Sequence, residues 1–281
     1  MRYNFPWLSV ASLRDELENK SGIYFEDNAF PESLLLQEPK AGFLELAQKI
    51  GHPLSQSIHN ELVLDVIDHG FSKEDQRARG PHSNRKLGFH TDRCDVIGFL
   101  CLQPAASGGE NQIVNSKEVA QIIQEERKDL YEVLCTPFPY KRHVMDSENP
   151  KPFCMQPIFS SQEGFFACSY LRVLIDRADQ DPNCPGLSKV QKESLDFMDC
   201  VCEREEIQTR FRLEPGNLLF LNNWTTLHRR TAFTDFPEKD RQRHFLRIWL
   251  SMPNNRPLDP AFKENFGSVE AGEIRGGIRA N

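Results

Sequence analysis

The strongest strand signals of this chain lie in residues 217–252, NLLFLNNWTTLHRRTAFTDFPEKDRQRHFLRIWLSM. This stretch holds two strongly apolar segments, 217–233 and 241–252, on either side of the polar turn TDFPEKD. Apolar runs bounded by turn residues are typical of buried strands. The stretch therefore predicts strands in the core of a sheet-rich protein.

Further strands are predicted upstream of this stretch. Residues 96–102, VIGFLCL, form an apolar run that is bounded by Pro104. The segments 152–160 and 164–173 are shorter and strand-like, with turn residues between them. Short strands separated by turns predict a mainly β core.

Helical patterns flank the predicted strands. Apolar residues recur at helical spacing in four segments. These segments are 10–19, 31–50 with an interruption at Pro39, the stretch that begins at Ser116, and 186–210. The core is therefore expected to carry helices at its periphery.

The chain shows no repeat and no linker that would divide it. We therefore predict a single domain over 1–281, with an N-terminal helical flank at about 1–55 and a catalytic core at about 80–255. The C-terminal tail is rich in Gly, Glu and Arg and is predicted to be mobile.

The composition argues against several classes of protein. Lys and Arg number 34 against 41 Asp and Glu, and the net charge of −7 argues against a nucleic-acid partner. No apolar run approaches the roughly 20 residues of a membrane span, and no signal peptide is recognisable. Eight cysteines without framework spacing indicate a reduced protein, so we expect a cytoplasmic location and a small-molecule substrate. Formation of a homo-oligomer is left open.

Residue types that bind metals occur at two places. In the triplet His90-Thr91-Asp92, an extended backbone directs the imidazole and the carboxylate to the same side, where one cation can contact both. His228 closes the apolar stretch 217–227 and is the best candidate for a third ligand. Two histidines and one carboxylate form the facial triad of non-heme Fe(II) oxygenases. The pattern favours an iron(II) enzyme whose open positions take 2-oxoglutarate and dioxygen.

Two arginines are candidates for binding anions. A guanidinium can hold the far carboxylate of 2-oxoglutarate through two parallel hydrogen bonds. Arg243 and Arg247 are four residues apart in the segment 241–252 and share one face of a strand. Because this segment is apolar, its arginines are expected to meet anionic partners. Basic residues on an exposed sheet edge are the alternative.

Together these motifs resemble the TauD/TfdA family of Fe(II)/2-oxoglutarate-dependent dioxygenases, which includes taurine dioxygenase and clavaminate synthase. The resemblance covers about residues 80–255 and depends on the order of four motifs. They are FHTD at 89–92, a Gly-Gly turn followed by Glu110 and Asn111, NNWTTLHRRTAF at 222–233, and RQRHFLR at 241–247. The resemblance implies a double-stranded β-helix, or jelly roll, with peripheral helices and a lid loop.

The resemblance also implies roles for single residues. The iron ligands fall on His90, Asp92 and His228. Arg243 would hold 2-oxoglutarate, and Asn111 would assist it, where taurine dioxygenase has a threonine. Arg247 would reach the anionic group of the substrate, although which arginine holds which anion is left open.

The primary substrate is the least defined part of this prediction. The resemblance implies a small anionic or zwitterionic metabolite, such as an amino acid derivative. Lys86 and Arg172 join Arg247 as candidate substrate-binding residues, and a surface salt bridge is the alternative for Arg172. The polar loop 73–86 is predicted as a lid, with a plain solvated loop as the alternative.

The expected reaction is hydroxylation with release of succinate and CO2, and desaturation or ring closure are further outcomes in the family. Two other functions are compatible with the same ligands. Zinc could activate water on a cupin-like barrel, or the barrel could bind a ligand without turnover. The complete ligand set and the arginines in an apolar segment favour the oxygenase.

Overall fold

The computed structural model describes residues 3–70, 83–142 and 151–278. Of the predicted lid at 73–86, residues 73–82 lie outside the described part of the chain, so the lid stays a prediction. Among the described residues, no helix has both the length and the apolar character needed to cross a membrane.

The secondary structure of the described residues alternates short strands with helices. The helices are α1 (Val10–Asn19), α2 (Glu32–Gln37), α3 (Pro39–Ile50), α4 (Ser116–Glu126), α5 (Lys128–Leu134), α6 (Arg172–Gln180), α7 (Lys189–Cys202) and α8 (Lys263–Phe266). The strands are β1 (Ile23–Glu26), β2 (His52–Leu54), β3 (Val63–Val66), β4 (Val96–Gln103), β5 (Ser107–Gly108), β6 (Asn111–Asn115), β7 (Phe138–Lys141), β8 (Phe153–Gln156), β9 (Phe159–Gln162), β10 (Phe165–Cys168), β11 (Gln208–Phe211), β12 (Leu218–Asn222), β13 (Thr226–Arg230), β14 (Phe233–Thr234) and β15 (His244–Ser251).

The largest sheet has six strands in the order β1-β12-β4-β15-β2, with β3 also paired to β15. Its central strands β12, β4 and β15 are the apolar runs of the sequence. Gly98 of β4 allows their close approach, because a Cβ at this position would lie 2.4 Å from the Phe220 ring and 2.9 Å from Ile248. A larger residue at 98 would force these side chains apart.

A second sheet has three strands in the order β11-β6-β13. Its register places His228 opposite Ile113 and Arg230 opposite Asn111. Ile113 packs in one buried cluster with Ile97 of the six-stranded sheet, so the two sheets face each other. Since β13 lies in this second sheet, His228 is held where the two sheets meet.

Helices cover the outer faces of both sheets. Leu13 of α1 and Leu46 of α3 pack with Phe220 of the six-stranded sheet. Helices α4 and α7 pack against the three-stranded sheet, where Val119 and Met198 share a cluster with Leu227. The predicted double-stranded β-helix with peripheral helices is confirmed; within the described residues the sheets do not close into a barrel.

The helical predictions hold with shifted ends, except that the segment 186–210 is α-helical only over Lys189–Cys202 and its residues 208–210 belong to strand β11. The segment 31–50 divides before Pro39, because this residue opens α3 at a position where its missing N–H costs nothing. Asn115, rather than Ser116, caps α4, and its side chain accepts from the backbone N–H groups of Lys117 and Glu118. Capping chemistry therefore set these boundaries within a few residues.

Two further predictions are wrong. Residues 172–173 were expected to extend a strand, but Arg172 opens α6 because Leu174, Ile175 and Ala178 bury one helical face. The C-terminal tail was expected to be mobile, yet Arg275 is 1% exposed and pairs with Asp95. Local composition carries no sign of an ion pair formed across 180 residues.

The cysteines are free thiols, and five of them, Cys94, Cys101, Cys154, Cys168 and Cys202, are buried. Burial raises the pKa of each of these five thiols, for Cys101 to about 12. Only the thiolate reacts readily. We therefore expect iodoacetamide to label the exposed Cys135 and Cys200 first and the five buried thiols only after unfolding, as mass spectrometry of timed samples would show. Early labelling of Cys94 would contradict this packing.

Candidate active site

His90, Asp92 and His228 come together at the junction of the two sheets. Their ligand atoms all lie within 4.8 Å of one another. His90 and His228 form an isolated antiparallel bridge, with backbone N···O distances of 3.1 and 3.0 Å. Because His90 and Asp92 flank Thr91 in an extended segment, this bridge sets the position of both. The backbone thus assembles the three predicted ligands.

The histidine nitrogens are arranged to offer lone pairs. Nδ1 of His90 lies 2.9 Å from the carbonyl oxygen of Gly88. A carbonyl can only accept, so Nδ1 donates and Nε2 carries the free lone pair. Burial and the neighbouring His90 lower the pKa of His228 to about 3. Its ring is therefore neutral at pH 7, as a metal ligand requires.

Asp92 is oriented by three neighbours. Its backbone N–H donates to Oδ1 of Asn223 at 3.0 Å. Its Oδ2 accepts from Nε1 of Trp249 at 3.3 Å and from Nη1 of Arg247 at 3.4 Å. Burial favours the neutral acid, but the charge of Arg247 and the interactions with the two histidines outweigh it and lower the pKa of Asp92. The carboxylate is therefore ionised and available to a cation.

A cavity of about 340 Å³ opens in front of this triad. Five arginine residues line it, and the carboxylate residues in its described wall are Asp92 and Glu61. The arginines are Arg177, Arg229, Arg230, Arg243 and Arg247. Apolar walls come from Leu64, Phe99 and Trp249, among others. The cavity is thus positive and partly apolar, which suits a small anionic ligand.

Two polar side chains of this cavity are suited to bind an anionic co-substrate next to the metal ligands. Nδ2 of Asn111 is buried and makes no hydrogen bond within the described part of the chain. Arg243 is 4% exposed, and among the described residues its guanidinium donates to no acceptor and contacts only the rings of Phe233 and Phe245. Burial, then the charge of Arg230, lowers the pKa of Arg243 to about 9. Buried donors of this kind call for an anionic acceptor, so the residues fit iron(II) together with 2-oxoglutarate.

Arg247 is tied to the triad. Its Nε donates to Oε1 of Gln56 at 2.7 Å, and its Nη1 donates to Asp92. Nε2 of Gln56 donates in turn to the backbone carbonyls of Leu62 and Arg247, each at 2.9 Å. Gln56 therefore fixes the guanidinium at the cavity wall.

Lys86 and Arg172 are not brought to the cavity. Nζ of Lys86 is exposed and pairs with Glu203 at 3.1 Å, on the outside of the fold. Arg172 pairs with Asp176, Asp196 and Asp199. In a helix, residues one apart point in different directions, so the helical start at Arg172 directs its side chain to these carboxylates. The prediction that both face the substrate finds no support in this placement.

Other residues of the site were missed. Arg177, four residues after Val173 on α6, faces the cavity with it. Trp249 lies two residues after Arg247, so the alternation of β15 could have revealed it. Asn223 lies in the motif at 222–233, but no role was predicted for it. No local sequence pattern predicts the role of Gln56, because its partner Arg247 is 191 residues away.

The chain is similar to known proteins along most of its length. Residues 4–249 match the family model described as taurine catabolism dioxygenase TauD, TfdA family. The FR-33289 synthase of Streptomyces rubellomurinus is 26% identical over 267 residues, which are 93% of this chain and 78% of that relative.

Solved structures share the fold. Asparagine oxygenase in complex with Fe(II), 2S,3S-3-hydroxyasparagine and succinate has a TM-score of 0.65 at 18% identity, over 86% of this chain and 80% of that one. Non-heme iron oxygenase OrfP in complex with Fe and alpha-ketoglutaric acid has a TM-score of 0.59 at 14% identity, over 86% and 79%. Because the family match spans most of its length, the chain belongs to the TauD/TfdA dioxygenase family and is a non-heme iron(II)- and 2-oxoglutarate-dependent oxygenase.

Proposed function

We propose that this oxygenase hydroxylates a small polar metabolite, anionic or zwitterionic, such as an amino acid derivative. The observation that carries the proposal is the cavity of about 340 Å³ beside the metal-ligand triad, whose wall includes Arg177, Arg230, Arg243 and Arg247. In the balanced reaction, one oxygen atom of O2 enters a C–H bond of the substrate. The other enters succinate, as 2-oxoglutarate loses CO2.

The roles of the protein groups follow from their contacts. His90, Asp92 and His228 hold the iron, which with 2-oxoglutarate and O2 supplies the oxidant for the C–H bond. Arg243 and Asn111 bind 2-oxoglutarate through their unpaired donors. Arg247, fixed by Gln56, binds the substrate anion beside the triad.

Structural relatives support the substrate class. Asparagine oxygenase has been solved with hydroxyasparagine, and OrfP with (3S)-hydroxy-L-Arg and succinate. Both ligands are hydroxylated amino acids. A cavity with a carboxylate, Glu61, and several arginines in its wall provides partners for both charges of a zwitterion.

A substrate screen tests the proposal. The protein would be incubated with Fe(II), ascorbate, 2-oxoglutarate and panels of amino acids, other zwitterions, carboxylic acids and neutral analogues. Succinate and product mass would be read together. We expect succinate release to be stimulated by an anionic or zwitterionic compound that gains one oxygen atom. Loss of a hydrogen pair would instead indicate desaturation, and stimulation by neutral analogues alone would refute the substrate class.

Replacement of Arg243 by methionine tests the 2-oxoglutarate site. The change removes a charged, two-pronged partner of the far carboxylate, so we expect the KM for 2-oxoglutarate to rise by about tenfold or more. Arg241→Met is the matched control, because Arg241 is exposed and pairs only loosely with Glu238 at 3.7 Å. Equal KM values in both variants would contradict the assignment.

We also propose a single catalytic domain in a cytoplasmic protein. The free state of all eight cysteines supports the reducing compartment. Such a compartment also keeps iron in the ferrous form.

A further inference from the structure

A second, smaller chamber of about 30 Å³ adjoins the active-site cavity. Four residues line both spaces. They are Asp92, Leu171, Trp249 and Ile278. The two spaces therefore share a wall that includes a metal ligand, and a ligand in the main cavity lies next to the chamber.

Arg142 is the principal polar group of this chamber. Its side chain is 2% exposed, and its Nε and Nη2 make no hydrogen bond to any residue that the structure describes. Nη1 donates to the backbone carbonyl of Glu264 at 3.0 Å. Nη2 lies 3.1 Å from Oε1 of Glu264, but without the geometry of a hydrogen bond. A buried guanidinium thus lines the chamber with two of its nitrogens lacking acceptors.

Further donors line the same chamber. The hydroxyl of Tyr140 has no hydrogen-bond partner among the described residues. Oγ of Ser169 accepts from Gln156 at 2.9 Å, which leaves its own proton to donate. Buried polar groups in proteins are normally satisfied. Arg142, Tyr140 and Ser169 all line this one small space, and a ligand rich in acceptors would suit their donors.

Three cationic side chains and one carboxylate contribute to the described wall of the chamber. Arg93, Lys141 and Arg142 contribute to its wall, and Lys141 is neutralised by an ion pair with Asp181. Asp92 is the only carboxylate residue in the described lining, and Arg247 faces it from the main cavity. Water alone satisfies this wall poorly, because each water molecule also needs acceptors for its own protons.

We propose that this chamber binds the anionic terminal group of the primary substrate, a carboxylate or similar oxyanion, while the carbon to be oxidised lies in the main cavity. A volume of about 30 Å³ accommodates one such group and not a whole metabolite. The inference rests on the proposed function and makes it more specific. Arg247 then holds one anionic group of the substrate, and a second anionic group, at the end of the molecule, lies beyond Asp92 at Arg142.

Anion titration tests the chamber without turnover. Acetate and inorganic phosphate would be titrated separately into the Fe(II)- and 2-oxoglutarate-loaded protein under nitrogen at constant ionic strength. Calorimetry would give the affinity, and tryptophan emission would report on Trp249 in the shared wall. We expect saturable binding of acetate that weakens about tenfold in Arg142→Met. Preference for phosphate over acetate would identify a phosphate-like terminus instead of a carboxylate.

Two further variants make the test decisive. Arg127→Met removes an exposed arginine that pairs with Asp129 and Glu193 far from the chamber, and it should bind acetate as the unmodified protein does. Tyr140→Phe keeps the charge of Arg142 and removes one donor, so acetate affinity should fall about threefold. If Arg142→Met does not fold, the acetate affinity of Tyr140→Phe is the deciding measurement.

The outcomes separate the two proposals. If neither anion binds saturably, or if the folded Arg142→Met and Tyr140→Phe variants bind acetate as tightly as the unmodified protein, the chamber does not bind the substrate anion. It would then hold water. Failure of every compound in the substrate screen, with acetate binding still dependent on Arg142, would overturn the proposed function and leave an anion site. If both tests succeed, Arg142→Met should raise the KM for the identified substrate.

Discussion

Replacement of Asp92 by alanine is expected to abolish substrate-dependent succinate release. The change removes the anionic ligand of the triad and leaves two imidazoles, while Arg247 loses its carboxylate partner and keeps Gln56. Even changes that only reorient a ligand cost 10- to 100-fold in metal affinity or activity. We therefore expect a loss of at least about 100-fold in rate, measured as succinate in iron-depleted buffer with added Fe(II).

Asp65→Asn is the matched control for this experiment. Asp65 pairs with His244 and Lys40 and is absent from the cavity wall. This variant should keep its activity, and circular dichroism should show that both variants are folded. An unchanged rate in Asp92→Ala would refute the metal assignment.

Replacement of Arg275 by alanine is expected to cause a large loss of stability. Nε of Arg275 donates to Asp95 at 2.6 Å, and Nη1 donates to the carbonyl of Arg256 at 2.7 Å. Asp95 is 2% exposed, so removal of the guanidinium leaves a buried charge with less compensation. Breaking such a pair costs about 3–5 kcal/mol in the free energy of unfolding. Urea denaturation followed by fluorescence would measure it.

The same variant should loosen the wall of the active site. Arg275 anchors the segment whose Gly277 N–H donates to the carbonyl of Arg93 and whose Ile278 lines both cavities. Arg127→Ala, in an exposed ion pair, should leave the urea midpoint nearly unchanged. If the midpoints of the two variants agree, the C-terminal segment is not a structural part of the fold.

The triad was predictable because its evidence is local. An extended HxD directs both ligands to one side, and His228 ends an apolar strand. The strands β4, β12 and β15 were predictable for a related reason, since burial on both faces requires nearly continuous apolar runs. Arg172 shows the limit of such reasoning. A shift from strand to helix at one residue changed which side chains face the cavity, and Arg177 lines it instead.

Residue patterns alone predicted a mainly β core with peripheral helices, the iron ligands as candidates and the basic character of the strand that carries Arg243 and Arg247, whereas the double-stranded β-helix followed from the family resemblance. These properties depend on periodicity and residue type along short stretches. Only the tertiary structure decided that Gln56 fixes Arg247, that Arg275 pairs with Asp95, and that Arg142 lines a chamber next to Asp92. The partners in these contacts are separated by tens to hundreds of residues, and packing of the whole chain brings them together.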